Sequence, residues 1–294
     1  MQVAPQVPGS TGVTGGRPFA KGHGTENDFV LLLDPDDTDG LTPAQVIALC
    51  DRRAGLGADG VLRAVRAAQV PAWPGSGVDH PEGLWFMDYR NADGSVAEMC
   101  GNGIRVFVHY LIEQHQVRPD DDGRIVVATR AGLRTAWVLP TGRVRVAMGG
   151  VEVGPRDVEV RAGTSTTTAF RADVGNPHAV SFVPAVADVD LLRPPSWSPV
   201  EAFPDGVNLE FVQRVGPRHL AMRVYERGSG ETRSCGTGTC AVAAVAALEA
   251  GDTERPVTYR VDVPGGSVEV ELAHDETYLT GPATIVAHGW TGLV

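Results

Sequence analysis

The sequence predicts an α+β protein made of two pseudo-symmetric lobes. Its 294 residues are enough for about two domains. Its 36 glycines and 21 prolines favour short strands joined by turns over long helices. The string Cys-Gly-x-Gly begins at Cys100 and again at Cys235, and each copy follows a strand-like run and opens a helix that leads into three more strand-like runs. We interpret this repeat as an internal duplication, and paired lobes usually hold a site in the cleft between them.

The first predicted element is a helix that begins after Thr42. Thr42 is a favourable N-cap, Pro43 suits the first helical position and Gln45 completes a capping box, so the helix should run to about Arg53. The other predicted elements of the first copy are strands Val61–Val65 and Leu84–Tyr89, an amphipathic helix Gly101–Glu113, and strands Ile125–Thr129, Arg134–Leu139 and Val144–Met148.

The second copy repeats this order. A predicted strand at Leu220–Glu226 leads to a helix that runs from Cys235 to Glu249. Three further strands are predicted, at Val257–Val263, Ser267–Leu272 and Thr277–Thr280.

The charge balance excludes several classes of partner. With 25 basic and 36 acidic residues the net charge is −11, so the chain lacks the basic surface that attracts nucleic acids or anionic membranes. The longest apolar run, Ala241–Leu248, is too short to span a bilayer. We therefore expect neither a nucleic-acid partner nor a membrane partner.

The N-terminus and the cysteines predict the compartment. The segment Met1–Gly16 has neither the basic nor the apolar region of a signal peptide, and we interpret it as a disordered tail. Four cysteines form no disulfide framework. We expect a reducing, cytoplasmic location in which the cysteines act as thiols.

The repeat also predicts a chemistry. A helix N-terminus carries partial positive charge and unpaired N–H groups, which bind anions and lower the pKa of a thiol from about 8.5. Two facing repeats would put Cys100 and Cys235 on opposite sides of one bound amino acid. A thiolate could then remove a proton from a carbon while a thiol returns one to the other face. The helix ends would stabilise the developing enolate, so no cofactor is expected.

Other roles for these motifs are weighed against that chemistry. No metal is expected, because the spacings Cys-x-x-Cys and His-x-x-x-His are missing. Cys50 and Cys240 are predicted to lie in the core. The segment Gly55–Gly60 fits a dinucleotide fingerprint, but it follows a helix and precedes a strand, which is the wrong order for that motif.

Several motifs together resemble the diaminopimelate epimerase family. The segment Arg90–Gly103, RNADGSVAEMCGNG, looks like the signature of the family. The other matching segments are Lys21–Phe29, Gly175–His178, Val207–Asn208, Tyr225–Thr232 and Cys235–Gly238. They occur in the family's order and span nearly the whole chain, from about Phe19 to Val294.

The resemblance implies a fold and a reaction. Each lobe would be an antiparallel β-barrel-like sheet around a central helix, and the C-terminal segment would complete the first lobe. Lobe one would comprise residues 17–147 and 281–294, lobe two residues 148–280, with the active site in the cleft between them. The implied reaction interconverts LL- and meso-diaminopimelate, on the route to lysine and peptidoglycan, and a homodimer is implied.

The resemblance also implies the role of each site residue. Cys100 and Cys235 would be the acid/base pair, and His178 and Glu226 would tune the two thiols. The residues implied to bind the substrate are Asn27, Asn91, Gly101, Asn102, Asn176, Asn208, Glu226, Arg227, Gly236 and Thr237.

Two departures and two alternatives accompany the resemblance. Glu26 replaces the glycine that is common before Asn27, and Gly60 stands where many members carry a substrate-contacting glutamine. The alternatives are another cofactor-independent Cys/Cys amino-acid racemase, such as a histidine racemase, and a thiol redox switch that turns over no substrate. The polar groups of Asn176, Asn208 and Arg227 suit a second amino-acid head group and favour the epimerase.

Overall fold

The computed structural model describes residues 16–71, 73–74, 76–77 and 83–294, so the tail predicted for residues 1–16 lies outside them except for its last residue. Within this part of the chain, 18 strands form one sheet and three α-helices pack against it. The helices are α1 (Pro43–Cys50), α2 (Gly101–Glu113) and α3 (Gly236–Ala250). The α+β class predicted from the sequence is confirmed.

The strands divide into two sets at residue 149. The first set is β1 (Arg17–Gly24), β2 (Asn27–Leu33), β3 (Gly60–Arg66), β4 (Trp85–Asn91), β5 (Arg124–Thr129), β6 (Gly132–Val138) and β7 (Val144–Gly149). The second set is β8 (Glu152–Ala162), β9 (Ser165–Asp173), β10 (Pro177–Phe182), β11 (Ser196–Ser198), β12 (Asn208–Gly216), β13 (His219–Glu226), β14 (Gly230–Thr232), β15 (Val257–Val263), β16 (Gly266–Leu272), β17 (Thr277–Gly281) and β18 (Thr284–Thr291).

The strand order is the same on both sides of the pairing between β7 and β17. Outward from that junction, one half runs β7-β6-β5-β4-β3-β2-β1-β18 and the other runs β17-β16-β15-β13-β12-β10-β9-β8. Parallel pairs occupy equivalent places, since β4–β5 corresponds to β13–β15 and β2–β3 to β10–β12. The last strand, β18, pairs with β1 of the first half. The molecule is therefore pseudo-symmetric, as the repeat predicts.

The helices begin where the sequence predicts. The Thr42 hydroxyl accepts a hydrogen bond from the Gln45 N–H, and the Gln45 side chain accepts one from the Thr42 N–H, which completes the predicted capping box of α1. This helix is shorter than predicted, because Asp51 leaves the helical conformation at ψ 122°. The helices α2 and α3 lie in the largest buried cluster, and Cys50 and Cys240 are buried as predicted.

The strands between residues 150 and 218 are not among the predicted elements, and neither are β1, β2, β14 and β18. β8 interrupts its alternation with Gly154 and Pro155, and β9 begins with the polar run Ser165–Thr168. Threonine is β-branched and suits a strand, but it carries no apolar signal. These strands are the second-half counterparts of β18 and β1, which are not predicted either, so the repeat gives no signal that could have found them.

Candidate active site

The two repeat cysteines are the N-caps of α2 and α3. Cys100 Sγ accepts a hydrogen bond from the Gly103 N–H at 3.3 Å, and Cys235 Sγ accepts one from the Gly238 N–H at 3.4 Å. Their backbones are extended, with ψ 117° in both. An N-cap has this conformation because it precedes the first helical residue. The sequence repeat is thus also a repeat of local geometry.

The first turns of α2 and α3 touch each other. A Cβ atom on Gly236 would lie 3.2 Å from the Asn102 nitrogen and 3.3 Å from Gly101 Cα, so any larger residue here would crowd the facing turn. The two positive helix ends, with the unpaired N–H groups of their first turns, therefore converge on one small region. Such a convergence can hold a carboxylate.

Burial dominates the ionisation of both thiols. It raises the pKa of Cys100 to about 11, although the Gly103 N–H and the Arg105 guanidinium lower it. It raises the pKa of Cys235 well above the usual range, and the nearby carboxylates of Glu226 and Glu210 raise it further. The prediction that the helix ends lower both pKa values is therefore wrong for this state, because loss of hydration outweighs the helix charge. A thiolate formed here is a strong base.

A buried amide network connects Cys100 to the second half. Asn27 Oδ1 lies 3.7 Å from Cys100 Sγ and accepts a hydrogen bond from Asn102 Nδ2 at 3.2 Å. Asn102 Nδ2 also donates to the Ser234 carbonyl at 3.1 Å, and Ser234 directly precedes Cys235. On its other side, Asn27 Nδ2 donates to Asp59 at 2.8 Å. Asn27 and Asn102 are both predicted site residues, and their hydrogen bonds hold the two cysteine loops in position relative to each other.

A second chain of polar groups leads to Cys235. His178 Nε2 lies 3.0 Å from Asn176 Oδ1, and Asn176 Nδ2 donates to Thr237 Oγ1 at 3.4 Å. Thr237 Oγ1 is 3.5 Å from Cys235 Sγ. His178 is fully buried, and these contacts connect it to Cys235 rather than to Cys100.

Glu210 completes that chain and was missed from the sequence. Its Oε1 lies 2.6 Å from His178 Nδ1, and the side chain is fully buried on β12. Asn208 and Glu210 point to the same face of this strand, while Leu209 and Phe211 pack in a separate apolar cluster. The polar alternation Asn208, Glu210 inside an otherwise apolar strand is the signal that could have revealed it.

Glu226 and Arg227 lie at the end of β13. Glu226 accepts a hydrogen bond from the Thr232 hydroxyl, and burial raises its pKa to about 7. The Arg227 N–H donates to Asn208 Oδ1 at 3.1 Å, and its exposed guanidinium donates to the Asp205 carbonyl at 3.3 Å. Asn208 Nδ2 in turn donates to the Pro177 carbonyl at 3.1 Å. These contacts bring Asn208 and Arg227 together, with Glu226 beside Cys235.

The structure shows which groups surround Gly60 and Glu26, the two positions that depart from the family pattern. A Cβ atom on Gly60 would lie 2.5 Å from the Arg90 carbonyl and 2.7 Å from the Tyr89 ring, so Tyr89 occupies the space of a longer side chain. Asn91, opposite Gly60 on β4, donates to Ser95 at 3.0 Å and is not bonded to either cysteine. Glu26 has a left-handed backbone, φ 59°, and pairs with Arg233 across the two halves at 2.6 Å.

The described residues offer neither a metal cluster nor a membrane-spanning helix. They contain no group of three or more His, Cys, Asp or Glu side chains that could hold a metal ion. In the same part of the chain, every helix is too short or too polar to cross a bilayer.

Sequence comparison identifies related proteins over most of the chain. A profile of the family described as diaminopimelate epimerase matches residues 19–153 and 170–286. The chain is 54% identical over 280 residues to the diaminopimelate epimerase of Streptomyces coelicolor, covering 92% of this chain and 94% of that protein. It is 48% identical over 286 residues to the diaminopimelate epimerase of Corynebacterium glutamicum, covering 92% and 97%.

Solved structures share the fold at low sequence identity. A hydroxyproline epimerase from Agrobacterium vitis has a TM-score of 0.66 at 15% identity and covers 95% of this chain and 93% of its own. A phenazine biosynthesis protein of the PhzF family from Bacillus anthracis has a TM-score of 0.64 at 14% identity, covering 94% and 99%. These likenesses concern the fold alone. On the sequence matches, the chain belongs to the diaminopimelate epimerase family and is an isomerase.

Proposed function

We propose that this protein interconverts LL- and meso-2,6-diaminopimelate by proton transfer between one α-carbon and the thiols of Cys100 and Cys235. One observation carries the proposal: two cysteines cap two helices whose first turns touch, at equivalent places in a duplicated fold. The names of relatives at 48–54% identity support the substrate. The reaction would serve the formation of lysine and peptidoglycan precursors.

The proton moves between two thiols on opposite faces of the substrate. In one direction the Cys100 thiolate takes the α-proton and becomes a thiol, and the electron pair of the broken C–H bond passes to the substrate as an enolate. The Cys235 thiol then donates its proton to the opposite face of the carbon and becomes the thiolate. The configuration inverts and net charge is conserved. The reverse reaction exchanges the two roles.

The helix ends stabilise the intermediate in this proposal. The N–H groups of Gly101, Asn102, Gly236 and Thr237 would hold the reacting carboxylate, whose charge grows as the enolate forms. The pKa of Cys100, about 11, lowers the thiolate population but increases the basicity of the thiolate that forms. An α-proton is weakly acidic, so that basicity favours its removal.

Polar residues around this centre would recognise the rest of the substrate. Asn27, Asn91, Asn176 and Asn208 would hydrogen-bond the substrate, while Glu226 and Arg227 would bind the distal ammonium and carboxylate, since a guanidinium can pair bidentately with a carboxylate. His178 and Glu226 would tune the thiols. The link from His178 through Asn176 and Thr237 to Cys235 supports this role.

The larger organisation is proposed on the same basis. Lobe one would comprise residues 17–147 and 281–294 and lobe two residues 148–280; the pairing of β18 with β1 supports this division. We expect a cytoplasmic homodimer that needs no cofactor and binds neither nucleic acid nor membrane. Sedimentation velocity measures the oligomeric state, and a single species at the monomer mass would contradict the dimer.

The substrate is tested by proton NMR of the reduced protein with a panel of amino acids. LL-diaminopimelate should convert to the meso form until the two isomers reach equilibrium. Conversion should be lost in Cys100→Ala and Cys235→Ala and retained in Cys50→Ala, since Cys50 ends α1 and packs in a separate apolar cluster. Turnover of histidine with diaminopimelate unchanged would instead support an amino-acid racemase of other specificity, and no turnover of any amino acid would support the thiol switch.

A further inference from the structure

Arg105 is a buried guanidinium without a carboxylate partner. It lies on α2, one turn beyond the Cys100 cap, and is fully buried. Its Nη2 donates to Thr25 Oγ1 at 3.2 Å and its Nε to the Pro282 carbonyl at 3.2 Å. Its Nη1 is buried with no hydrogen-bond partner in the described part of the chain. The charged or ionisable groups that act on it there are Cys100, Cys240 and Arg143, none of which is a carboxylate.

This arrangement is costly unless an anion forms nearby. Burial lowers the pKa of Arg105 to about 10, so the side chain remains a cation at neutral pH. A buried charge without a partner destabilises a fold strongly. Most arginines of this protein avoid the cost by pairing, as Arg63 does with Asp34 and Asp88.

The Arg105 guanidinium and the first turn of α2 both approach Gly24. A Cβ atom on Gly24 would be 3.0 Å from Arg105 Nη2 and 3.1 Å from the Asn102 carbonyl. Thr25 Oγ1, which receives the Nη2 hydrogen bond, is 2.8 Å from Ser234 Oγ, and Ser234 precedes Cys235. Ser234 Oγ also accepts a hydrogen bond from Asn102 Nδ2 at 3.2 Å, in the first turn after Cys100. A short path of hydrogen bonds therefore joins the cation to both cysteine loops.

We propose that Arg105 is a positioning residue that serves as the fixed counter-cation of the active site and stabilises the thiolate of Cys100. The inference rests on the proposed two-thiol function. It explains why the guanidinium is left without a carboxylate: the anion that it balances is the thiolate, and a permanent carboxylate in its place would cancel the effect.

The other charges around the two sulfurs make this effect one-sided. The charge of Arg105 lowers the pKa of Cys100 and that of Glu226 raises it, whereas Glu226 and Glu210 both raise the pKa of Cys235. The buried Tyr89 lies near both thiols and near Asp59. Arg105 is thus the cation on the Cys100 side, and the second carboxylate, Glu210, is on the Cys235 side.

The test is the alkylation rate of each cysteine, which needs no substrate and so is independent of the proposed reaction. Iodoacetamide reacts with the thiolate, and mass spectrometry of the Cys100 and Cys235 peptides gives separate rates between pH 7 and 9. Arg105→Met should slow Cys100 by about tenfold, the expected loss of thiolate for one pKa unit. Cys235 should change by less, and Arg105→Lys should restore most of the Cys100 rate.

Thr25→Val tests whether the Cys100 rate depends on the charge of Arg105 or on its hydrogen bond to Thr25. It removes the acceptor of Nη2 but keeps the cation, so the Cys100 rate should stay within about twofold of wild type. A rate unchanged in Arg105→Met, no restoration by Arg105→Lys, or a Thr25→Val effect as large as that of Arg105→Met would overturn the proposal.

A second pair of variants leaves Arg105 in place, which avoids the risk that its replacement prevents folding. Cys100→Asp and Cys235→Asp each put a carboxylate at a helix N-cap. The stabilisation from capping should therefore be similar in the two variants. The proposal predicts a higher Tm at pH 8 for Cys100→Asp, whose anion is near Arg105, than for Cys235→Asp, whose anion faces two carboxylates. An equal or reversed order contradicts it.

Discussion

Cys100 and Cys235 occupy equivalent backbone positions in surroundings that are not equivalent. Each sulfur accepts the N–H of the glycine three residues later, at 3.3 and 3.4 Å. Cys100 is half-buried and contacts Asn27, whereas Cys235 is 6% exposed and is near two carboxylates. The duplicated scaffold thus supplies matched geometry, while side chains outside the repeat motif make the two thiols unequal. A two-thiol exchange needs that inequality, because one sulfur must be charged while the other is protonated.

Removing either sulfur gives the largest expected effect. Cys100→Ala and Cys235→Ala should each lower kcat for epimerisation by at least about 10³-fold, because each supplies one of two required proton transfers. Circular dichroism and Tm should show a retained fold, with Cys50→Ala as the control for loss of a buried thiol. Substantial activity in either single variant would mean that one thiol suffices.

The helix glycines beside the two caps should respond differently to alanine. A Cβ atom on Gly238 would lie 2.8 Å from Glu210 Oε1 and 3.3 Å from Cys235 Sγ, whereas on Gly103 it would be no closer than 3.3 Å to any atom. Gly238→Ala should therefore destabilise the protein by about 1–3 kcal/mol, as overpacking does. Gly103→Ala should be nearly neutral, since helix propensity offsets the tighter contact. Urea unfolding measures both, and equal effects would show that Glu210 does not distinguish the two sites.

Much of the molecule could be predicted from particular residues. Thr42, Pro43 and Gln45 mark the start of α1, and the two Cys-Gly-x-Gly strings mark the starts of α2 and α3, because capping and turn chemistry are local. Glu210 and Arg105 could not be given roles, since their importance depends on distant partners and on burial. The prediction that both thiol pKa values are lowered is wrong for the same reason. The hydration of each sulfur depends on the residues that the folded chain places around it.

The partly buried carboxylate of Glu226, beside Cys235, should make stability depend on pH. Burial raises the pKa of Glu226 from 4.5 to about 7, so between these values the folded state holds more protons than the unfolded state. The free energy of unfolding of wild type relative to that of Glu226→Gln should fall by up to about 3 kcal/mol as the pH rises from 4.5 through 7. Urea unfolding at several pH values checks this, with Glu231→Gln as the control at an exposed site. A difference that stays constant across this range would mean that Glu226 titrates normally.

The smallest effect concerns the contact between the halves at Glu26. Glu26→Gly should stabilise the protein by up to about 1 kcal/mol, because glycine accepts φ 59° and an exposed ion pair contributes little. Arg233→Ala removes the same pair without changing that backbone and should cost less than about 0.5 kcal/mol. Tm values of both variants test this, and a large loss in each would show that the pair holds the halves together.

The central claim is that two different thiols exchange protons with one α-carbon. It is tested most directly by running the reaction from LL-diaminopimelate in D₂O and analysing both pools at low conversion by NMR and mass spectrometry. The account predicts one deuterium at the inverted α-carbon of the meso product and none in the recovered LL substrate, because the abstracted proton stays on one sulfur while the other sulfur delivers deuterium. Product that retains the original proton, or substrate labelled as fast as product forms, would contradict it.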